Sequence, residues 1–270
     1  MKKIIHLSDL HVGCGGFKKR FSMVVDNLVF EKSDTASQYV IVITGDLVDN
    51  ANNKNSYSKV KIGLDKLKKF GFKHILVVPG NHDYGTGDKG NSKFVKLFKD
   101  AFFGEERDYP KTDVIDEIAF IGLDSMAEEL HWYDELFAEG ELGKKQLQRL
   151  GSILRESKIC SCRKRVIYLH HHPFEWRPFH QLKDSHVLKE VLMQAIQAGI
   201  SIDAILFGHN HEGKAHNGQW GIPRCYDAGT TTLKPRPKFL RRTPWFMIRS
   251  SPRVIDLGRE VYCDYALPLL

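Results

Sequence analysis

A chain of 270 residues, 42% hydrophobic and 27% charged, has the composition of an ordinary globular protein and the length for one domain with a large core. No apolar stretch approaches the ~18 residues a membrane-spanning helix needs, which excludes a chain that crosses the bilayer in α-helical form. The formal net charge of +7 favours anionic partners (nucleic acid, phosphorylated metabolites, membrane surfaces) without choosing among them.

Met1-Lys2-Lys3 resembles the start of a secretory signal, but the apolar run behind it is interrupted by His6 and stopped by Asp9, so a cytoplasmic protein is expected. Five scattered cysteines (Cys14, Cys160, Cys162, Cys225 and Cys263) fit free thiols in a reducing compartment. Cys160-Ser161-Cys162 lacks the second Cys or His pair of a soft metal site.

In chain order, the first apolar run, Ile4 to Ser8, predicts a strand that exits into Asp9-Leu10-His11. A glycine-rich turn (Gly13, Gly15, Gly16) leads to a helical pattern over 17–30, with Phe21, Val24, Val25, Leu28 and Val29 on one face. A strand over 39–44 exits into Gly45-Asp46-Leu47-Val48-Asp49, followed by a polar loop through Asn50, Asn52, Asn53 and Asn55. The helix expected over 56–69 buries Val60, Leu64 and Leu67, with Gly71 placed to cap it. The strand over 73–78 exits into Gly80-Asn81-His82-Asp83. This strand–helix alternation predicts parallel pairing with crossover helices.

Gly85-x-Gly87-x-x-Gly90 matches the dinucleotide fingerprint in letters, but that fingerprint belongs to the tight turn directly after a strand, and here four metal-type residues intervene. The stretch 84–91 therefore reads as a loop beside the site. A helix is expected over 92–102, then strands over 112–116 and 118–123, the second ending in Leu123-Asp124-Ser125. The insert 126–139 carries His131, Trp132, Tyr133 and Phe137, which serve either a substrate pocket or ordinary packing. A helix over 140–156 and a strand over 165–170 lead into His170-His171-His172-Pro173. A helix over 185–198 and a strand over 202–207 lead into Gly208-His209-Asn210-His211. From Gly218 onward, short strands and turns are positioned to extend a second sheet. Segment 234–253 carries seven Lys or Arg and no acid; a solvated loop is the default reading, a contact surface for an anion the other.

Five strand ends that carry Asp, Asn and His describe a metal site at one edge of a sheet, because such groups are costly to bury without partners. In Asp9-x-His11 the two side chains are two residues apart, so at a strand exit both point to one side. His209-x-His211 repeats that spacing with imidazoles. Asp46 has two oxygens and can bridge two ions, and Asn81 supplies a neutral carbonyl oxygen.

Asp9-x-His11, Gly45-Asp46-x-x-Asp49, Gly80-Asn81-His82-Asp83, His171 in His-His-Pro and Gly208-His209-x-His211 together resemble the five signature blocks of the calcineurin-like metallophosphoesterase superfamily. The resemblance implies an α/β fold, a four-layer α/β/β/α sandwich, holding two metal ions. Carried over block by block, Asp9, His11, Asp46 and His211 hold one ion, and Asp46, Asn81, His171 and His209 the other. His171 is chosen because the family's ligand precedes the proline by two positions; His170 and His172 remain open. Asp49 and Asp83 become supporting carboxylates. Two ions ~3.5–4 Å apart would activate a bridging solvent molecule for in-line attack on phosphorus. His82 would then protonate the leaving alkoxide. The mixed N/O set suits Mn, Fe, Zn or Co.

Leu123-Asp124-Ser125, Gly140-Glu141-Leu142-Gly143 with Gln146-Leu147, and His-His-Pro resemble the class III cyclic-nucleotide phosphodiesterase and glycerophosphodiesterase branch. The UDP-diacylglucosamine hydrolases have arginine at the place of His82, and the superfamily's repair nucleases carry further domains. Phe174 departs from the family's second proline. The expectation is a metal-dependent phosphodiesterase acting on a small phosphorylated molecule such as a cyclic nucleotide. The alternatives are a nuclease or phosphomonoesterase, with nucleic acid bound through the basic C-terminal region, and a non-catalytic interaction module. The phosphoesterase domain is expected over 1–230, with 231–270 a basic extension of the same domain.

Overall fold

The computed structural model describes residues 1–13, 17–53, 55–86, 91–103, 108–127, 139–175, 181–232, 252–258 and 265–266. Gly87 and Gly90 of the glycine pattern, the four aromatic and histidine residues of the insert, and 234–251 of the basic segment lie outside them. Among the described residues no helix is long and apolar enough to cross a membrane.

Strands β1 (Lys3–Leu7), β2 (Tyr39–Thr44) and β3 (His74–Val78) pair in parallel, separated in the chain by α1 (Phe17–Lys32) and α2 (Ser56–Lys69). After α3 (Ser92–Phe102), the hairpin β4 (Lys111–Ile115) and β5 (Ile118–Gly122) opens a second sheet. Helices α4 (Lys144–Leu154) and α5 (Ser157–Cys160) lead to β6 (Lys164–Tyr168), and α6 (Ser185–Gln197) leads to β7 (Ala204–Phe207) and β8 (Arg224–Asp227). Strands β5 to β8 are parallel. Two short C-terminal strands, β9 (Arg253–Ile255) and β10 (Tyr265–Ala266), pair antiparallel, β9 on β1. The sheet orders are β10-β9-β1-β2-β3 and β4-β5-β6-β7-β8.

The strand period of two sorts the apolar residues into layers. Ile5, Leu7, Ile41 and Ile43 face outward onto Phe21, Val25, Leu28, Val60 and Leu64 of α1 and α2. Their neighbours Ile4, Val40, Val42 and Val78 face inward and meet Phe120, Val166, Tyr168 and Leu206 of the second sheet. Ile121, Ile167, Ile205 and Phe207 face the opposite way, onto Leu147, Leu150, Leu188 and Leu192 of α4 and α6. Three apolar interfaces between two sheets and two helix layers make the four-layer α/β/β/α sandwich. Each fully buried aliphatic or aromatic side chain contributes about 1.5–3 kcal/mol.

Two local expectations are corrected. The helix expected from Gly140 starts only at Lys144: Gly143 has φ +80°, outside helical geometry, and the Asp184 carboxylate accepts the N–H groups of Leu142 and Gly143 at 3.1 and 2.9 Å. Glu141 N–H instead donates to Ser125 O at 2.8 Å, fastening this stretch to the exit of β5. The tail also divides between the sheets, since β8 extends the second one while β9 and β10 extend the first.

Candidate metal centre

Parallel strands deliver their C-terminal ends to one rim, and the ends of β1, β2, β3, β6 and β7 meet there. The segments beyond β1 and β2 run side by side, with Asp9 N–H donating to Gly45 O (3.0 Å) and His11 N–H to Asp46 O (2.9 Å). The rim of the second sheet is joined to that of the first through His209 N–H and Asp9 Oδ2 at 3.1 Å. The strand exits pack most tightly at two glycines, Gly208 between the sheets and Gly80 within the first. A Cβ on Gly208 would lie 1.9 Å from Ser8 Oγ, and one on Gly80 2.3 Å from Asp46 Oδ1, so neither position admits a side chain without movement.

Asp9, His11, Asp46, His209 and His211 all have φ between +41° and +72°, making up five of the seven non-glycine residues in that region among the described ones. Such conformations cost about 1–3 kcal/mol each and persist where the surroundings over-determine them. The pleat argument for Asp9-x-His11 and His209-x-His211 is thereby corrected: both residues of each pair sit at positive φ, so the alternation of an extended strand does not continue through them.

Two donor groups result, with Asp46 between them. In one, His211 Nε2 lies 2.8 Å from Asp9 Oδ1, and His11 Nε2 lies 3.4 Å from His211 Nε2 and 3.7 Å from Asp46 Oδ2. In the other, His170 Nε2 lies 3.0 Å from Asn81 Oδ1, 3.2 Å from His209 Nδ1 and 3.6 Å from Asp46 Oδ1. Donors held ~2.1 Å from a common ion are ~3.0–3.4 Å apart, close to these separations.

The tautomer of His170 tests the fit. Its Nδ1 lies 2.8 Å from the carbonyl oxygen of Thr44, which only accepts, so Nδ1 carries a proton and in the neutral ring Nε2 presents a lone pair. That lone pair faces the carbonyl oxygen of Asn81. Acceptor against acceptor at 3.0 Å is repulsive until a cation lies between them, and the backbone-anchored Nδ1–H is the usual support of a metal-bound histidine. Protonation states agree. Burial holds the His11 imidazole down to about 3, hence neutral. Burial works against ionisation of Asp9 and Asp46, but the surrounding histidines outweigh it and keep both carboxyls below the usual range.

His171, the residue selected by the proline spacing, has its Nδ1 2.8 Å from Ser125 Oγ, and its ring is stacked at a tilt 4.4 Å from that of His209. It brings a nitrogen within 4.8 Å of donors of His170 and His209, but the contacts to Asp46 and Asn81 belong to His170. His172 points to His216, Nε2 to Nε2 at 3.2 Å. A different count finds His170. Asp9, Asp46, His170 and His209 are each the second residue after their strand, whereas the proline lies beyond an extra histidine.

His82 sits beside the donors without joining either group of four. Its Nδ1 lies 2.7 Å from Asp49 O, its ring meets His11 edge-on at 4.7 Å, and its side chain is 17% exposed where His11 and Asp46 show 1% and 3%. Asp49 Oδ1 lies 3.6 Å from His11 Nδ1, the outer-partner position of a metal-bound histidine. Asp83 accepts from Leu47, Val48 and Gly80 N–H at 3.2, 3.2 and 2.9 Å, locking the β2 exit to the β3 exit. Burial, reinforced by Asp46, raises its carboxyl well above the usual range.

Leu123-Asp124-Ser125 and Gln146, singled out in the sequence with no role, form a brace. The Gln146 amide pairs with both backbone groups of Asp124 at 2.8 Å, Asp124 Oδ2 accepts the Tyr84 hydroxyl at 2.8 Å, and Ser125 holds His171. Sequence reasoning also missed Thr230, Thr231 and Thr232, which grip the β1 exit across 221 to 223 positions of the chain.

No curated protein matches the chain. Among solved structures it is similar to the purple acid phosphatase PPD1 of yellow lupin (14% identity, TM-score 0.52, 77% of this chain and 37% of that one). It is also similar to a putative 5'-nucleotidase of Staphylococcus aureus (14%, 0.50, 84% and 48%). A third similar structure is GAP50, the anchor in the inner membrane complex of Plasmodium (12%, 0.56, 98% and 88%). At these identities the likeness is one of fold, and the chain spans less than half the length of the first two. The family model for calcineurin-like phosphoesterases matches residues 2–213, a span that opens before β1, closes just past His211 and takes in all five donor-bearing strand ends, and the chain belongs to that family.

Proposed function

We propose that this chain is a metal-dependent phosphoesterase that hydrolyses a phosphodiester bond in a small molecule, with a cyclic nucleotide as the leading substrate class. The observation that carries the reading is the lone pair of His170 Nε2 facing Asn81 Oδ1 beside the Asp46 carboxylate, an arrangement that calls for a cation. In this reading Asp9, His11, Asp46 and His211 hold one ion, and Asp46, Asn81, His170 and His209 the other, the nitrogen and oxygen donors suiting Mn, Fe, Zn or Co. When bound, the ions supply an activated solvent nucleophile and neutralise phosphoryl oxygens. The chain's own residues do the rest. Asp46 turns one oxygen to each group, Thr44 and Asp49 fix the protons on His170 and His82, and His82, half out of the donor cluster, delivers a proton to the departing oxygen. A donor for the leaving group is needed most with alkoxides, which favours an ester of a sugar or alkyl alcohol over an aryl ester.

The test is hydrolysis by metal-reconstituted protein of a panel comprising cyclic nucleotides, glycerophosphodiesters, single-stranded DNA and RNA, and phosphomonoesters. Turnover of small diesters above the other classes is expected; activity confined to monoesters or to nucleic acid would replace the diesterase reading. The ligand assignment has its own check. His170→Ala should bind one ion fewer than the parent by elemental analysis, and His171→Ala should retain both. The reverse result would return the assignment to His171.

A further inference from the structure

The second sheet's last parallel strand, β8, is followed by Ala228-Gly229-Thr230-Thr231-Thr232, a stretch beyond the family match and outside the five signature blocks. All three threonines are buried, and each meets the backbone just past β1. Thr230 Oγ1 donates to Asp9 O at 3.0 Å. Thr231 Oγ1 accepts from Ser8 N–H at 3.0 Å, while its own N–H donates to Ser8 O at 2.9 Å. Thr232 Oγ1 donates to Leu10 O at 2.6 Å. Four backbone groups of three successive residues are thereby held by three successive residues of the other sheet.

The segment so held is where the backbone is strained. Asp9 has φ +52° and His11 φ +41°, a region where an L-residue stays only when its neighbours leave it no alternative. The pairing of 9–12 with 45–48 holds the N–H groups of Asp9 and His11. The carbonyls of Ser8, Asp9 and Leu10 are held from the threonine side. Without the hydroxyls, the buried carbonyls of Asp9 and Leu10 lose these partners, and rotating the peptides back to an ordinary φ would carry the Asp9 carboxylate away from His211. We propose that Thr230 and Thr232 are positioning residues that hold Asp9 and His11 in their ligating conformation, through hydroxyl bonds to the Asp9 and Leu10 carbonyls. Thr231 completes the strap on Ser8, its N–H on the carbonyl and its hydroxyl on the N–H. The inference rests on reading Asp9 and His11 as metal ligands.

Valine matches threonine in shape but lacks the hydroxyl, and serine keeps the hydroxyl without the methyl, so the pair of substitutions separates the bond from the packing. Full-length apo-protein and the variants Thr230→Val, Thr232→Val, Thr230→Ser and Thr232→Ser are titrated with Mn²⁺ by calorimetry, with far-UV circular dichroism and thermal midpoints recorded on the apo forms. The valine variants should fold and bind one of the two Mn²⁺ ions about 10–100-fold more weakly, the range for loss of an outer partner of a metal ligand. The serine variants should bind as the parent does. Parent-like Mn²⁺ affinity in the folded valine variants would overturn the proposal. So would serine variants as weak as the valine ones, which would make the effect one of packing. Valine variants that fail to fold while the serine variants fold would assign the hydroxyls to holding the fold instead of the ligands. Failure of the parent itself to bind two ions would remove the ligand reading and the strap proposal with it.

Discussion

Asp46→Asn is expected to release at least one of the two ions and to reduce turnover by more than the ~10–100-fold that loss of an outer partner of a ligand costs. Asp46 is the group shared by both donor clusters: Oδ1 lies 3.6 Å from His170 Nε2 and Oδ2 lies 3.7 Å from His11 Nε2. It is almost fully buried, so water cannot replace a lost charge there. The amide keeps one carbonyl oxygen, which can serve one cluster, and turns an N–H₂ group toward the other. A cationic site then faces a donor hydrogen in place of a carboxylate. Asp46 Oδ1 also accepts His82 N–H at 2.9 Å, so the variant tests whether the β2 exit still organises the β3 exit. Elemental analysis and turnover measured on the same preparation check the expectation. Two ions per chain with near-parental turnover would sink the shared-ligand assignment.

Much of this architecture is legible in the sequence because its determinants are local. Strand β2 and helix α2 fall on their expected bounds, since a continuous β-branched run and a period-3.6 pattern ending near Gly71 admit one reading each. The donor-bearing strand ends are legible for the same reason. Asp, Asn and His directly behind an apolar run have nowhere to go but a shared polar site. What escapes is set by interactions distant in the chain. The helix expected from Gly140 fails because Asp184, more than 40 residues on, takes the N–H groups of Leu142 and Gly143. The threonine grip on Asp9 joins residues more than 220 apart and leaves no periodicity to read. The histidine triplet is an intermediate case. Counting back from the proline selects His171, whereas counting forward from the strand selects His170, the histidine whose Nε2 meets Asn81 and Asp46. The two counts differ because the strand's register is fixed by ladder hydrogen bonds to β5 and β7, whereas the proline marks where the loop turns.

His82→Ala is expected to lose ~10²–10⁴-fold in turnover on an alkyl or sugar diester, the usual contribution of a general acid, and far less on a nitrophenyl diester. The hydrogen bond from Nδ1 to the Asp49 carbonyl at 2.7 Å fixes one proton on Nδ1, because a carbonyl only accepts. Nε2 is therefore the nitrogen that would deliver a proton in the proposed mechanism. It lies 4.0 Å from Asp46 Oδ2, on a side chain more exposed than those of the donors His11 and Asp46. An alkoxide leaving without a proton has a high-energy conjugate base, whereas a nitrophenolate is stable enough to leave unassisted, so removing the donor should separate the two substrates. Metal content must stay at the parental value for the comparison to hold, and the position of His82 outside both groups of four donors predicts that it does. An equal loss on both substrates, with both ions retained, would mean that His82 orients the phosphoryl group and that the proton for the leaving oxygen comes from elsewhere.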